Sequence, residues 1–237
     1  MPTYVETLSD AIDDIFSVDW DERDGRTVPE SGDITLRNGA VKLDAVFLYA
    51  DLAGSSRLAS VCPWQTTAKI IRAYLDVATR LIRAWNGEIR SFDGDRVMGV
   101  FIGDTPNSNA ANCAREIDYM VEEVIMPRAT KKFKSIRDND IKITHCVGID
   151  VGISRAVRAG IRNNNDIIWI GKAPAFAAKL SDIRNYPWSV YMSSRSYKKL
   201  SDGAKLNHEG KNIWVAVERT VGGMTETVYK TKALKMP

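Results

Sequence analysis

Residues 89–101 read IRSFDGDRVMGVF and place two carboxylates, Asp93 and Asp95, on either side of one glycine. Apolar and polar residues alternate along both flanks of this group. An Asp-Gly pair between two alternating runs is a strong signal for a tight β-hairpin turn. The stretch therefore predicts a hairpin over residues 88–102, and it raises the question of whether one of the two aspartates holds a metal ion.

The elements on either side of the hairpin follow from the spacing of apolar residues. Residues 45–52, AVFLYADL, form a mostly apolar run of β-rich residues, which predicts a buried strand. Spacings of three and four predict helices over residues 4–20, 65–85, 109–129 and 173–183, and alternation predicts a strand over 141–153. The other segments predict a glycine-serine turn at 54–60, strands at 167–171, 189–193, 212–219 and 224–231, and a short helix at 195–200.

Helices that alternate with strands, one antiparallel hairpin included, indicate an α/β (α+β) fold in which helices pack over a mixed or antiparallel sheet. We expect a ferredoxin-like sandwich. The polar segment 21–33 carries glycine and proline, which predicts a linker or an exposed loop. The chain is therefore divided into an N-terminal helix and linker, residues 1–40, and one domain, residues 41–237.

The composition is that of an ordinary globular chain. It has 237 residues, 44% of them apolar, and a net charge of +3. That charge is too small to indicate a nucleic-acid partner. The N-terminus lacks the basic region and apolar run of a signal peptide, and there is no run of about 18 apolar residues that could span a membrane. We therefore expect a soluble, cytoplasmic protein with no membrane partner.

The cysteines and histidines narrow the chemistry. Cys62, Cys113 and Cys146 are far apart and show no metal-ligand spacing, which indicates free thiols in a reducing cytosol. His145 and His208 are the only histidines, so histidine-based zinc sites and Ser-His-Asp catalysis are nearly excluded. A histidine in an alternating strand is more often packed than catalytic, and neither histidine is given a role.

A further carboxylate, Asp51, lies near the end of the predicted strand 45–52. A glycine and small hydroxyl residues follow it, and their backbone N–H groups could hold a polyphosphate. On this segment alone, a metal site fits as well as a plain exit from strand to loop in which Asp51 caps the next backbone turn. If the hairpin turn packs beside the strand end, Asp95 approaches Asp51, and two divalent ions would relieve their repulsion. Oxygen ligands suit Mg²⁺ or Mn²⁺.

Three segments, in order, resemble the motifs of class III nucleotidyl cyclases. FLYADLAGSSRL is similar to the first metal motif and RSFDGDRVMGVF to the second. IIWIGKAPAFAAKLSDI is similar to the third segment, in which a tryptophan-glycine turn leads into an alanine-rich helix. The similarity covers residues 45–194. It implies a ferredoxin-like domain that works as a homodimer, with two composite sites across the interface.

The resemblance also implies roles for individual residues. Asp51, Asp95 and the main-chain carbonyl of Leu52 would hold two Mn²⁺ or Mg²⁺ ions, whereas Asp93 matches no metal ligand. Lys179 would be the catalytic group that stabilises the transition state from the partner chain. The loop expected to hold the substrate phosphates consists of Ala53, Gly54, Ser55 and Ser56.

The chain departs from the family where purine bases are recognised. Ser91 stands where adenylate cyclases carry a lysine, and Ile168 stands where they carry an Asp or Thr. Ala175 replaces an asparagine that orients the ribose. Lys179 replaces an arginine, which keeps a positive charge but loses the two-pronged geometry.

Intact metal aspartates beside altered base positions favour a cyclase for a different base over a decayed, non-catalytic relative. Tyr49 lies on the same strand face as Asp51 and would shrink the pocket to fit a pyrimidine. The combination of YAD and RSFDGD is similar to the pyrimidine cyclases of bacterial Pycsar anti-phage systems. That resemblance implies a bacterial lyase that converts UTP to cyclic UMP and pyrophosphate, with a separate effector that responds to the product. The base would be recognised by Tyr49, Arg90, Ser91 and Ile168.

Several alternatives stay open on the sequence. Tyr49 could be a plain core tyrosine and Arg90 an exposed strand charge. The chain could make cyclic CMP, or it could be a degenerate cyclase that binds nucleotides without turnover. A diguanylate-cyclase or polymerase palm shares the metal–carboxylate architecture, but the chain lacks a Gly-Gly-(Asp/Glu)-Glu-Phe hairpin and a paired Asp-Asp turn.

Overall fold

The computed structural model describes residues 2–237, apart from the side chain of Met224. The helices in this range are α1 (Tyr4–Phe16), α2 (Ser55–Val61), α3 (Trp64–Ala84), α4 (Pro106–Tyr119), α5 (Met126–Lys132), α6 (Lys134–Asp138), α7 (Lys172–Ser181), α8 (Ser194–Lys198) and α9 (Asp202–Lys205). The strands are β1 (Asp21–Asp24), β2 (Gly39–Ala53), β3 (Gly87–Asp93), β4 (Arg96–Phe101), β5 (Thr144–Ile161), β6 (Asn164–Ile170), β7 (Val190–Ser193), β8 (Val215–Val221) and β9 (Met224–Thr231). None of the helices in residues 2–237 has the length and apolar composition needed to cross a bilayer.

The chain forms two compact units. The first holds the chain up to Asp44 and the segment Ile153–Gly171. In it, β1 pairs in parallel with residues 39–42 of β2, and residues 155–161 of β5 pair with β6 as an antiparallel arm. Helix α1 begins with a capping box between Thr3 and Glu6 and buries none of its residues. Its apolar side chains therefore form an exposed stripe.

The second unit consists of Ala45–Gly152 and Lys172–Pro237 and carries the three sequence motifs. Strands β2, β4 and β3 pair antiparallel to one another, β5 pairs in parallel with β7, and β9 lies between β7 and β8. The large core cluster lies on one face of this sheet, where Leu48 and Ala50 pack together with residues of α3 and α4. Because side chains alternate along a strand, Tyr49 and Asp51 point to the opposite face.

The predicted mixed α/β architecture is confirmed, and several element boundaries differ. The expected turn at 54–60 is wrong beyond Gly54, because α2 begins at Ser55 directly after that glycine. The expected linker at 21–33 contains β1, whose residues are all exposed and so carry no apolar signal. The strand expected at 141–153 begins at Thr144 and runs on to Ile161 as one side of the arm.

The long helix predicted over 109–129 contains an irregular stretch. A π-helical segment, Met120–Ile125, separates α4 from α5. Pro127 follows it at the start of α5 and has no N–H group to donate to the preceding turn. A π-helical turn before such a proline lets the helix continue although one backbone hydrogen bond is missing.

The cysteines and His145 lie where the sequence suggested. All three thiols are free and buried. His145 lies in the core, where its Nε2 is 3.0 Å from Asp118 Oδ1. Trp85 packs against the core, whereas Trp64 is 74% exposed.

Candidate active site

The hairpin and the end of β2 bring two carboxylates together. Strands β3 and β4 are joined at Gly94 and Asp95, and Gly94 takes the left-handed backbone conformation with φ of 61°. In the β2–β4 register, Asp51 lies opposite Arg96. The Leu52 N–H group donates to the main-chain carbonyl of Asp95 over 3.4 Å. Asp95 and Asp51 are therefore neighbours at one edge of the second unit.

Asp51 is a costly group to keep ionised. The residue is 8% exposed, and burial raises the pKa of its carboxyl. The guanidinium group of Arg184 donates to Asp51 Oδ2 and acts in the opposite direction, whereas the negative charge of Asp95 raises the pKa further. A cation between the two aspartates would stabilise both charges.

Asp93 has different surroundings, although one glycine separates it from Asp95. Its side chain is 79% exposed and makes a salt bridge of 3.0 Å with Arg96. Arg96 also lies 3.5 Å from Asp182 and 5.7 Å from the ring centroid of Tyr49. Asp93 is thus already paired at the surface of the hairpin.

The residues present fit a divalent metal of the magnesium class. The donors are carboxylate and main-chain oxygens, which are the ligands that Mg²⁺ and Mn²⁺ prefer. Within residues 2–237 there is no group of three or more His, Cys, Asp or Glu side chains that could form a closed protein site. The pair Asp51 and Asp95 therefore resembles the open sites in which substrate phosphates and water complete the coordination.

The loop after Asp51 has the backbone shape expected of a tight turn. Gly54 adopts φ of 75° and precedes α2, so a side chain at this position would be strained. A cavity of about 120 Å³ borders the loop on the side of Leu52 and Ser55, and Arg57 and Lys142 contribute to its lining. Ser56 is exposed at the first turn of α2.

Three of the residues expected at the base are only partly accessible. Tyr49 and Ser91 are half-buried, and burial raises the pKa of the Tyr49 hydroxyl. The Arg90 side chain is 13% exposed, so it is not an exposed strand charge. Arg90 lies between Ile89 and Ser91, where the pairing of β3 with β4 shifts register. Its Nη2 is 3.6 Å from Glu88 Oε2. Its buried Nε has no hydrogen-bond partner among the described residues.

The remaining predicted residues lie on other elements. Ile168 is on β6 in the first unit, with 44% of the residue exposed. Lys179 is exposed on α7 and lies against the β8–β9 turn, where a Cβ atom at Gly222 would be 2.2 Å from its Nζ. The structure thus brings Asp51, Leu52 and Asp95 together within the second unit.

Two arginines at the site were missed from the sequence. Arg96 follows Asp95 directly, and its position in the hairpin was the available signal. Arg184 contacts Asp51 from 133 positions away in the chain, so nothing in the sequence indicated that contact.

Comparisons with solved structures identify the fold class. A bacterial light-regulated adenylyl cyclase matches 85% of this chain over 54% of its own length, with a TM-score of 0.69 and 18% identity. The guanylyl cyclase Cya2 matches 83% of this chain over 95% of its own length, with a TM-score of 0.66 and 14% identity. The fold is that of the class III nucleotidyl cyclase catalytic domain, as predicted.

Sequence relatives then identify the family. A uridylate cyclase of Rhodovulum sp. (strain MB263) is 39% identical over 233 residues, which cover 98% of this chain and 97% of the relative. A uridylate cyclase of Xanthomonas perforans is 36% identical over 205 residues, 86% of each chain. No protein-family model matches the chain. The chain belongs to the uridylate cyclase family.

Proposed function

We propose that this chain converts UTP to 3′,5′-cyclic UMP and pyrophosphate, which makes it a phosphorus–oxygen lyase. The observation that carries the proposal is the pair Asp51 and Asp95, placed side by side by β2 and the hairpin turn in a chain of the uridylate cyclase family. In this reaction the ribose 3′-hydroxyl attacks the α-phosphorus, and the bond to the β-phosphate oxygen breaks. The 3′-hydroxyl proton is released as pyrophosphate leaves.

Asp51 and Asp95 would hold two divalent ions, Mn²⁺ or Mg²⁺, with the Leu52 carbonyl as a further ligand. When bound, such ions lower the pKa of the attacking hydroxyl and neutralise the triphosphate. The protein itself has little covalent chemistry to perform. Its residues fix the triphosphate and the ribose in an in-line arrangement, and this positioning supplies much of the rate.

The loop after Asp51 is proposed to hold the substrate phosphates. Ala53, Gly54, Ser55 and Ser56 place main-chain N–H groups and small hydroxyl side chains at the start of α2. The left-handed Gly54 supports this assignment, because it turns the backbone sharply without a side chain in the way. Lys179 of the partner chain is proposed to stabilise the charge that develops on the phosphate during the reaction.

The base would be recognised by Tyr49, Arg90, Ser91 and Ile168. The half-buried Tyr49 limits the size of the pocket and thereby favours a pyrimidine over a purine. The buried Nε of Arg90 has no hydrogen-bond partner within residues 2–237, and such a donor is costly unless something supplies an acceptor. A uracil carbonyl is a suitable acceptor for it.

The proposed assembly is a homodimer with composite sites, in which one chain supplies the metal aspartates and the other supplies Lys179. The proposed biological role is that of a bacterial, cytoplasmic enzyme of anti-phage defence, whose product activates a separate effector protein. Both statements rest on the resemblance to class III and Pycsar cyclases. The active site would be incomplete in a single chain.

The proposal is tested by incubating the chain with each of the four ribonucleoside triphosphates and Mn²⁺, and by identifying the cyclic product by mass spectrometry. We expect cyclic UMP and pyrophosphate from UTP. Cyclic CMP from CTP would indicate a cytidylate cyclase. The absence of pyrophosphate with all four nucleotides would indicate a nucleotide-binding protein without turnover.

A further inference from the structure

Arg184 is the direct partner of the metal aspartate. Its Nη2 donates to Asp51 Oδ2. Its Nη1 donates to the main-chain carbonyl of Ser181 over 2.6 Å and to that of Ile183 over 3.3 Å. The guanidinium group is therefore fixed between the C-terminal end of α7 and the strand end of β2, although 43% of its side chain is exposed.

Arg184 contacts one of the two carboxylate oxygens through which Asp51 would bind a cation. A guanidinium group and a divalent ion both need the lone pairs of a carboxylate, and the two positive charges repel each other. Asp51 is buried, so its charge is screened only weakly from either partner. Arg184 thus stabilises the ionised aspartate and also opposes a metal ion at the same oxygen.

We propose that Arg184 is a positioning residue that holds Asp51 and competes with the metal ion for its Oδ2 oxygen, so that it sets the affinity of the site for divalent cations. The inference rests on the proposed function, because it takes Asp51 as a metal ligand. Binding of the ion at Oδ2 then requires the guanidinium group to leave this oxygen. Its exposed fraction gives it space to turn towards solvent or towards the substrate phosphates.

The test measures Mn²⁺ binding in the absence of nucleotide, by calorimetry on the full chain after treatment with EDTA. We expect Arg184→Gln to bind Mn²⁺ roughly three- to tenfold more tightly than the wild type. The reason is that the ion pair between Arg184 and Asp51 no longer competes with the metal ion. Arg184→Lys keeps the positive charge but loses the two-pronged geometry of the guanidinium group. Its affinity for Mn²⁺ should therefore lie between those of the wild type and Arg184→Gln. The matched control is Arg80→Gln, which breaks the exposed pair with Asp76 on α3 and should leave Mn²⁺ binding unchanged.

Thermal unfolding separates competition from a purely structural role. With EDTA, Arg184→Gln should unfold roughly 2–4 °C below the wild type, because Asp51 loses its partner. Mn²⁺ should raise the unfolding temperature of the variant by more than it raises that of the wild type. The difference between the two unfolding temperatures should therefore narrow. A deficit of the same size with and without Mn²⁺ would overturn the inference and leave Arg184 a structural residue.

The outcomes distinguish this inference from the proposed function. Unchanged or weaker Mn²⁺ binding in Arg184→Gln, when Asp51→Asn abolishes binding, would overturn the inference alone. Binding that survives Asp51→Asn would overturn the metal site of the proposed function and this inference together. If Arg184→Gln does not fold, Arg184→Lys decides the question, and an affinity for Mn²⁺ no tighter than that of the wild type would overturn the inference.

Discussion

Asp93 and Asp95 stand on either side of Gly94, yet the hairpin gives them different surroundings. Asp93 is exposed and paired with Arg96, whereas Asp95 lies at the turn beside the end of β2. Residues two apart on a strand point to the same face, but Asp95 lies in the turn beyond β3, so this rule does not extend to it. The local backbone thus separates a surface ion pair from a candidate metal ligand.

This difference predicts the activity of three matched variants. Asp51→Asn and Asp95→Asn should each lower cyclic UMP formation by at least about 100-fold, because each removes a group that positions charge in the transition state. Asp93→Asn should keep activity within a few-fold of the wild type. Initial rates of cyclic UMP formation, with circular dichroism as a control for folding, measure all three. Equal loss in Asp93→Asn and Asp95→Asn would contradict the assignment.

The electrostatics of Asp51 predict a trade-off between activity and stability. Because burial and the charge of Asp95 raise the pKa of Asp51, the folded chain binds this proton more tightly than the unfolded chain. The wild-type chain therefore loses stability as the pH rises from the ordinary aspartate range through the raised pKa, and the ionised group is a net cost at neutral pH.

Asp51→Asn removes that cost. With EDTA, at about pH 7.5, we expect the variant to be at least as stable as the wild type, and we expect its relative advantage to shrink towards about pH 4. Urea unfolding at both pH values gives the two free energies. A variant that is less stable by the same margin at both pH values would show that the Arg184 pair outweighs the burial of the charge.

The residues of the site were predictable only in part. Asp51, Gly54 and Asp95 lie in short motifs of consecutive residues, and such motifs can be recognised in the sequence. Arg184 meets Asp51 through tertiary packing, and the burial of Arg90 depends on an irregular strand register that no local pattern encodes. Whether Arg90 binds the base stays a prediction.

At the scale of elements, the position of α7 depends on its contact with β5. A Cβ atom at Gly148 would lie 2.1 Å from the carbonyl oxygen of Ala177 and 2.5 Å from the nitrogen of Ser181. The backbone of α7 therefore lies so close to β5 that only a glycine fits at position 148. Because α7 carries Lys179, this contact also fixes the group proposed to act in the partner's site.

Substitution of this glycine should move the helix. Gly148→Ala should lower the free energy of unfolding by roughly 1–3 kcal/mol, because the added methyl group overpacks the contact, and it should lower activity as well. The control is Gly152→Ala on the same strand, where a Cβ would meet Ala173 at an ordinary 3.5 Å. Urea unfolding of both variants measures the difference. Equal stability of the two variants would contradict the packing argument.

Elements with a regular apolar period were predicted from the sequence, and elements without one were not. Helix α3 has apolar residues at spacings of three and four, and it was placed to within one residue at each end. Strand β1 is exposed along its whole length and α2 buries only Leu58, so neither has the pattern on which such predictions depend.

The proposed mechanism requires two chains for each active site. Asp51 and Lys179 would act on the same nucleotide from different chains. A mixture of Asp51→Ala and Lys179→Ala chains should therefore recover about a quarter of the wild-type activity, since half of the dimers are mixed and each has one intact site. The rate of cyclic UMP formation after mixing measures this recovery. A rate no higher than that of the separate variants would contradict the composite site.

The proposed function requires that this chain cyclises UTP in preference to the other nucleotides. The most direct test incubates the chain with an equimolar mixture of ATP, GTP, CTP and UTP and Mn²⁺, because the product ratio then equals the ratio of specificity constants. Mass spectrometry of the cyclic products, with Asp95→Asn as the inactive control, gives that ratio. We predict that cyclic UMP exceeds each other product by at least about tenfold. A mixture dominated by cyclic CMP, cyclic AMP or cyclic GMP would show that UTP is not the preferred substrate.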